Sequence, residues 1–399
     1  MKAITPIKNI VFYLVLFTLP MYMRINNILL LVFFALFLLE GGYKEKWERL
    51  KANYTFALPL FALFALAIVA ALNHPEKDIF RYLERYWSFV AIPIVVIASK
   101  EYQGKASYHL FRGMLWGCVA TLLICYGNVI YEMVSKSEPL HYFLRHRHLN
   151  HQFTEIADTH PAYLGVFMVV SSAYLFFKSS LKKGIKIALL VFLCFGFVQL
   201  ASRMALVSFG VVILVFLITK IRTHWKQIGI GFGVAILCSV LLYFSASEFL
   251  RERLISKERI GNDQRFSRNI VSWELFKEYP ILGVGFGRKD AVRETKYCKY
   301  GFQVAAENRY NAHNQYLEYL SVNGLVGGLT FILVMGYLLY FSWKQRSVFF
   351  FLLFLSFFLA NSTESMLVRI KGIEFFAISV SLLATSTMIK NDNEYIDHS

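Results

Sequence analysis

The chain has 399 residues, 57% of them hydrophobic and only 17% charged, with 38 Phe and 23 Tyr. A soluble domain carries about 45–50% apolar and about 25% charged residues, so a soluble enzyme or binding module of this length is excluded. The composition predicts an all-α polytopic membrane protein. The formal net charge of +16 then reads as a membrane-topology signal and not as a nucleic-acid footprint.

Apolar runs of membrane-crossing length fall near 9–23, 26–42, 54–73, 87–99, 110–134, 161–177, 187–201, 204–219, 228–247, 315–342, 347–360 and 370–389, about twelve predicted spans. The first run lacks a small-residue cleavage site and is followed at once by another, so it reads as a span and not a signal peptide. With the N-terminus inside, the inner segments hold 18 Lys and Arg and the outer short loops hold 10. The positive-inside bias therefore predicts both termini in the cytoplasm. The chain divides into residues 1–247, with nine spans and an outward loop at 135–160, and an outward hydrophilic loop at 248–314. Residues 315–399 hold the last three spans and a cytoplasmic tail. Four of the five cysteines sit in apolar runs, where thiols behave as small hydrophobes, and no zinc spacing is present.

Candidate chemistry follows in chain order. Histidines 141, 146, 148 and 151 are interleaved with Arg145 and Arg147; cations between ligands oppose metal binding, so no metal is expected there. Arg203 stands between two apolar runs with almost no loop around it. It reads either as an interfacial arginine snorkelling to the headgroups or as an anion-binding guanidinium suited to phosphate. In the long loop, Arg265-Phe-Ser267-Arg268 precedes an amphipathic stretch through Phe276. Ser267 is predicted as the helix N-cap, which puts Arg265 and Arg268 at a helix N-terminus that favours an anion. Arg288 and Arg293, farther along the loop, are expected to tolerate alanine.

The segment Pro280-Ile-Leu-Gly283-Val-Gly285-Phe-Gly287 has the wrong spacing for a dinucleotide loop and no βαβ context; it is expected to be a turn that shapes the loop. His313 opens the tenth span and is expected on one helical stripe with Tyr316, Leu317 and Leu320. It reads either as a structural interfacial histidine or, near clustered arginines, as a neutral imidazole able to act as a general base.

Taken together, the span count, Arg203 at an outward span end, the R-x-x-R of the long loop, P-x-x-G-x-G-x-G and His313-Asn314-x-Tyr-Leu-Glu318 resemble the O-antigen ligase/polymerase superfamily. The resemblance is strongest over about 160–330, and His160-Pro161-Ala-Tyr163 adds to it. It implies an inverting, metal-independent and cofactor-free glycosyl transfer at the periplasmic face of the bacterial inner membrane. The implied donor is a glycan on undecaprenyl diphosphate, and the implied acceptor is a sugar hydroxyl of lipid A–core. Arg203, Arg265 and Arg268 would bind the diphosphate and His313 would be the base, with Asn314, His160 and Tyr163 in support. A polymerase of the same superfamily is the nearest alternative, and a lipid or glycan transporter is the alternative of another class.

Overall fold

The structure is a computed structural model that describes residues 4–75, 79–220 and 264–394. Among the described residues every regular element is helical. Apolar runs without strand-like alternation satisfy their backbone groups internally only as helices, the requirement a bilayer imposes. Helices cover eleven of the predicted spans; the ninth, 228–247, lies outside the described residues. Six helices among the described residues are long and apolar enough to cross a membrane, or seven if the bent pair Asn150–Ala157 and Pro161–Phe177 counts as one span. Ile4–Thr18, Met23–Leu39 and Val348–Asn361 are shorter apolar helices. The molecule is a polytopic, all-helical membrane protein.

Two compact units emerge. One comprises residues 1–13, 27–110 and 262–399, and the other residues 14–26 and 111–261. In the first, the Ile370–Glu394 helix packs along Ser88–Ala98, and the Gln315–Lys344 helix packs on Gln264–Glu278, Val348–Asn361 and Leu58–Leu72. One buried polar knot lies at the end predicted to be cytoplasmic. Fully buried Lys8 bonds Glu40 at 2.5 Å, contacts Glu101 and reaches Ser99 at 3.3 Å, while Lys46 stands 2.9 Å from Glu40. Thr5 also donates to Glu40, at 2.6 Å.

The long hydrophilic loop is helical where it is described. Helices Gln264–Glu278, Gly285–Lys299 and Gln303–Glu307 enclose a small core of Val271, Leu275, Val284, Tyr297, Ala305 and Ala306. Polar and apolar residues alternate there at helical spacing, so the loop has one apolar stripe per helix to bury.

Candidate active site

The site in the first unit begins with the glycine segment. Gly283 and Gly324 both have positive φ, 67° and 63°, a conformation without penalty only for glycine. A Cβ on Gly283 would lie 2.3 Å from the Val322 carbonyl carbon, and one on Gly324 would lie 2.3 Å from the Ile281 carbonyl oxygen. The two backbones therefore touch. Gly324 interrupts the Gln315–Lys344 helix with non-helical geometry, which leaves donors without intrahelical partners. Leu325 N–H donates to Pro280 O at 2.7 Å and Val284 N–H donates to Ser321 O at 3.0 Å. Asn73 adds a side-chain bond to Gly283 O at 2.9 Å, and Asn323 one to Leu66 O at 2.8 Å. The expected loop-shaping turn is thus a clasp that fixes the loop to the kinked helix.

Below the clasp lies a buried ion pair. Arg293 donates from Nη1 to Glu318 Oε1 at 3.1 Å and from Nη2 to Glu318 Oε2 at 2.9 Å, with a further bond to Ser321 Oγ at 2.9 Å. Arg293 and Glu318 are 3% and 5% exposed. Burial alone would lower the Arg293 pKa, but the Glu318 carboxylate more than offsets it and the net shift is upward. Glu318 Oε2 also accepts the backbone N–H of Ala312 at 3.0 Å. The pair therefore sets the chain immediately before His313. This overturns the expectation that Arg293 tolerates alanine: sequence shows a loop arginine, and only the fold reveals its buried carboxylate partner. Arg288 is exposed, as that expectation requires.

His313 is not on the helical stripe. Its φ is 47°, and the helix starts at Gln315 with Asn314 as extended N-cap, whose Oδ1 accepts from Tyr316 N–H at 3.0 Å and Leu317 N–H at 3.2 Å. Helical geometry begins only after the cap, at Gln315, two residues past His313. His313 N–H is held by Asn311 Oδ1 at 3.0 Å. Its Nδ1 stands 3.1 Å from Glu364 Oε2, a carboxylate only 8% exposed. Asn314→Ala should lower the unfolding free energy by about 1 kcal/mol through the lost cap and displace His313, read as a fall in Tm in detergent with a parallel fall in activity.

Arg268 joins this group. Its guanidinium lies over the Tyr310 ring, 3.9 Å from the centroid, and that ring is 6.2 Å from the His313 ring. Arg268 is 7% exposed. The Gln264–Glu278 helix already includes Ser267, so Ser267 is an intrahelical residue and not the predicted N-cap. Its serine–arginine context looks like a start signal, but the preceding residues are helical too. Arg265 is in the first described turn of that helix, and its side chain lies outside the described residues.

The other expected residues belong to the second unit. The Lys183–Leu200 helix ends at Ala201 in the left-handed conformation, and half-buried Arg203 begins the Arg203–Lys220 helix. The guanidinium thus sits at a helix N-terminus, where backbone dipoles also favour anions. His160 is the N-cap of Pro161–Phe177, its Nδ1 accepting from Ala162 N–H at 3.2 Å. Its ring meets that of His151 edge-on at 4.3 Å and lies 6.0 Å from that of buried Tyr163. Gln199 donates to the carbonyls of His148 and Phe143 at 2.7 and 3.0 Å, tying the histidine-rich loop to the span before Arg203. Burial, with Arg147 alongside, lowers the pKa of His148. Among the described residues no group of three or more His, Cys, Asp or Glu is placed to hold a metal ion.

Sequence reasoning missed two groups. Glu364 lies in a short loop between apolar helices, 51 positions from His313 in the chain, and carries no motif. Arg293 had a signal, the acidic Glu318 of the His313 motif, but nothing in sequence couples the two.

Residues 188–332 match the family model described as O-antigen ligase. The matched stretch contains Arg203, Arg265, Arg268, Arg293, His313, Asn314 and Glu318; His160, Tyr163 and Glu364 lie outside it. No curated protein matches the chain. Over residues 188–332, which hold both the arginine set and the histidine, this multi-span helical protein is similar to the O-antigen ligase family.

Proposed function

We propose that the protein transfers a glycan from undecaprenyl diphosphate to a sugar hydroxyl of lipid A–core at the periplasmic face of the inner membrane. The family consists of glycosyltransferase-like ligases and polymerases, and the observation that carries the reading is His313 set 3.1 Å from the Glu364 carboxylate. A carboxylate so close, although Nδ1 makes no hydrogen bond to it in this structure, stabilises by its charge the imidazolium formed when His313 takes a proton. The acceptor oxygen attacks the anomeric carbon from the face opposite the diphosphate, with inversion, and its proton passes to His313. The bond from the anomeric carbon to the diphosphate oxygen breaks, and undecaprenyl diphosphate leaves with the electron pair. Arg203, Arg265 and Arg268 meet the negative charge that develops on that leaving group, the electrostatic term that usually dominates such catalysis.

The arginines make two forecasts. Arg203→Lys and Arg268→Lys keep charge but lose the planar fork, so each should lose about 10²-fold or more in transfer at normal protein level, while Arg288→Ala should not. Transfer in purified membranes should also survive EDTA; loss on chelation restored by Mg²⁺ would assign the neutralising role to a cation. Equal damage from all three arginine changes would point to a general field.

Ligase and polymerase share these residues, and the acceptor separates them. In a deletion strain, long glycans retained on undecaprenyl diphosphate with bare lipid A–core on a gel support the ligase. Core bearing a single repeat instead would establish the polymerase.

A further inference from the structure

Beside the clasp, the first unit contains an open cavity lined by Tyr82, Arg85, Tyr86, Phe286, Lys289 and Glu318, among others. None of the residues assigned above to transfer lines it. Three of these side chains form an aromatic wall: Phe286 stacks with Tyr82 at 5.5 Å and with Tyr86 at 5.8 Å, the planes 19° and 12° apart. The cationic side of the cavity is Lys289 and Arg85. Lys289 is 8% exposed, and its ammonium lies 5.0 Å from the Tyr82 centroid and 5.4 Å from that of Phe286. Arg85 stands 5.7 Å from the same Tyr82 ring.

The charges in this cavity are unevenly met. Glu318 is committed, with both oxygens taken by Arg293 and one also by the Ala312 N–H. Asp290, next to Lys289 in sequence, accepts from Tyr82 Oη at 3.3 Å. Lys289 makes no hydrogen bond or ion pair among the described residues; ring faces lie against it, and the more distant fields of Glu318 and Asp290 are opposed by those of Arg293 and Arg85. The side chain is largely buried while its ammonium reaches the open cavity, and holding that charge with no acceptor of the protein's own carries a cost. Burial accordingly lowers its pKa. A ligand that brings an anionic group to Lys289 and Arg85 relieves the cost, and a flat apolar face beside that group matches the aromatic wall.

We propose that this cavity binds a saccharide carrying an anionic group, a carboxylate or a phosphate. The sugar face lies on Phe286, Tyr82 and Tyr86, and the anion reaches Lys289 and Arg85. The inference rests on the transfer reading only for its place as a substrate subsite; the binding itself is independent of it. Arg85 and Lys289 both lie in segments expected outside the membrane on the side where transfer would occur, which suits a polar substrate. A neutral sugar would leave Lys289 unmet, and a bare anion would leave the aromatic wall unused.

The test is saturation-transfer NMR on the full chain in nanodiscs of neutral phosphatidylcholine, with no lipid-linked donor present. Glucuronate and glucose 6-phosphate should bind competitively at one site, at least about tenfold tighter than glucose or inorganic phosphate. Lys289→Gln should weaken both acidic sugars about tenfold or more, the equivalent of about 1.4 kcal/mol, and leave glucose unchanged. If Lys289→Gln does not yield folded protein, Arg85→Gln at the half-buried rim carries the same forecast. Glucose binding as tightly as glucuronate would overturn the anion requirement. Inorganic phosphate binding as tightly as glucose 6-phosphate would overturn the saccharide and leave an anion or headgroup site. Because no transfer is measured, failure here leaves the catalytic reading standing, and loss of that reading leaves this result standing.

Discussion

His313→Gln should abolish glycan transfer while leaving the protein in the membrane at its normal level. The amide of Gln can hydrogen-bond but cannot accept a proton at neutral pH, so if His313 is the base the loss should be about 10²–10⁴-fold. His313→Ala should match it, and both variants should still bind the lipid-linked donor. A structural histidine predicts the reverse, since its bonds would largely be kept by Gln; near-wild-type transfer in the Gln variant ends the base assignment. Glu364→Gln is the companion measurement. Glu364 acts through His313 as a positioning residue, so removing its charge should lower kcat and move the pH profile of transfer, whereas a packing role would alter protein level and leave the profile in place.

Arg293→Ala should be among the most destabilising single changes in the chain. It leaves the Glu318 carboxylate buried with Ala312 N–H as its remaining bond, and removing one partner of a buried ion pair costs about 3–5 kcal/mol. Membrane level should fall, and the unfolding midpoint in detergent should drop sharply. Glu318→Gln should fare similarly because it strands the guanidinium. Replacing both residues by apolar ones of like size, Arg293→Met with Glu318→Leu, should recover most of the stability, since a buried pair and a packed apolar pair are often near equal. If Arg293→Ala retains a wild-type level and midpoint, the pair does not hold the loop to the helix. On the expected outcome, His313 and Arg293 separate in experiment: the first change removes chemistry from a stable protein and the second removes the protein.

The residues show why some expectations were legible and others were not. Asn314 came only from the family resemblance; its role as the N-cap, bonding donors two and three positions on, was shown by the structure. The glycine turn at 283–287 was legible, since positive φ is a property of single residues. Ser267 misled because a cap signal is read from neighbours, and the residues before it continue the helix. The stripe assigned to His313 failed by two residues, the distance from the first helical position, Gln315, to the residue before its cap.

Hydropathy, charge bias and residue order in the sequence alone determined that the chain is an all-helical membrane protein, where its apolar runs lie and which superfamily it resembles. The first two depend on neighbours within about twenty residues, because a span must satisfy its own backbone and its own hydrophobic length; the resemblance depends on the order of short motifs along the chain. The tertiary structure decided what required two distant segments to meet. It set Glu364 beside His313, Glu318 beneath Arg293, the Pro280–Gly287 backbone against the kink at Gly324, and Lys289 over Tyr82 and Phe286. Charge pairing and backbone contact act over a few ångströms, and chain separation says nothing about which groups the packing brings that close.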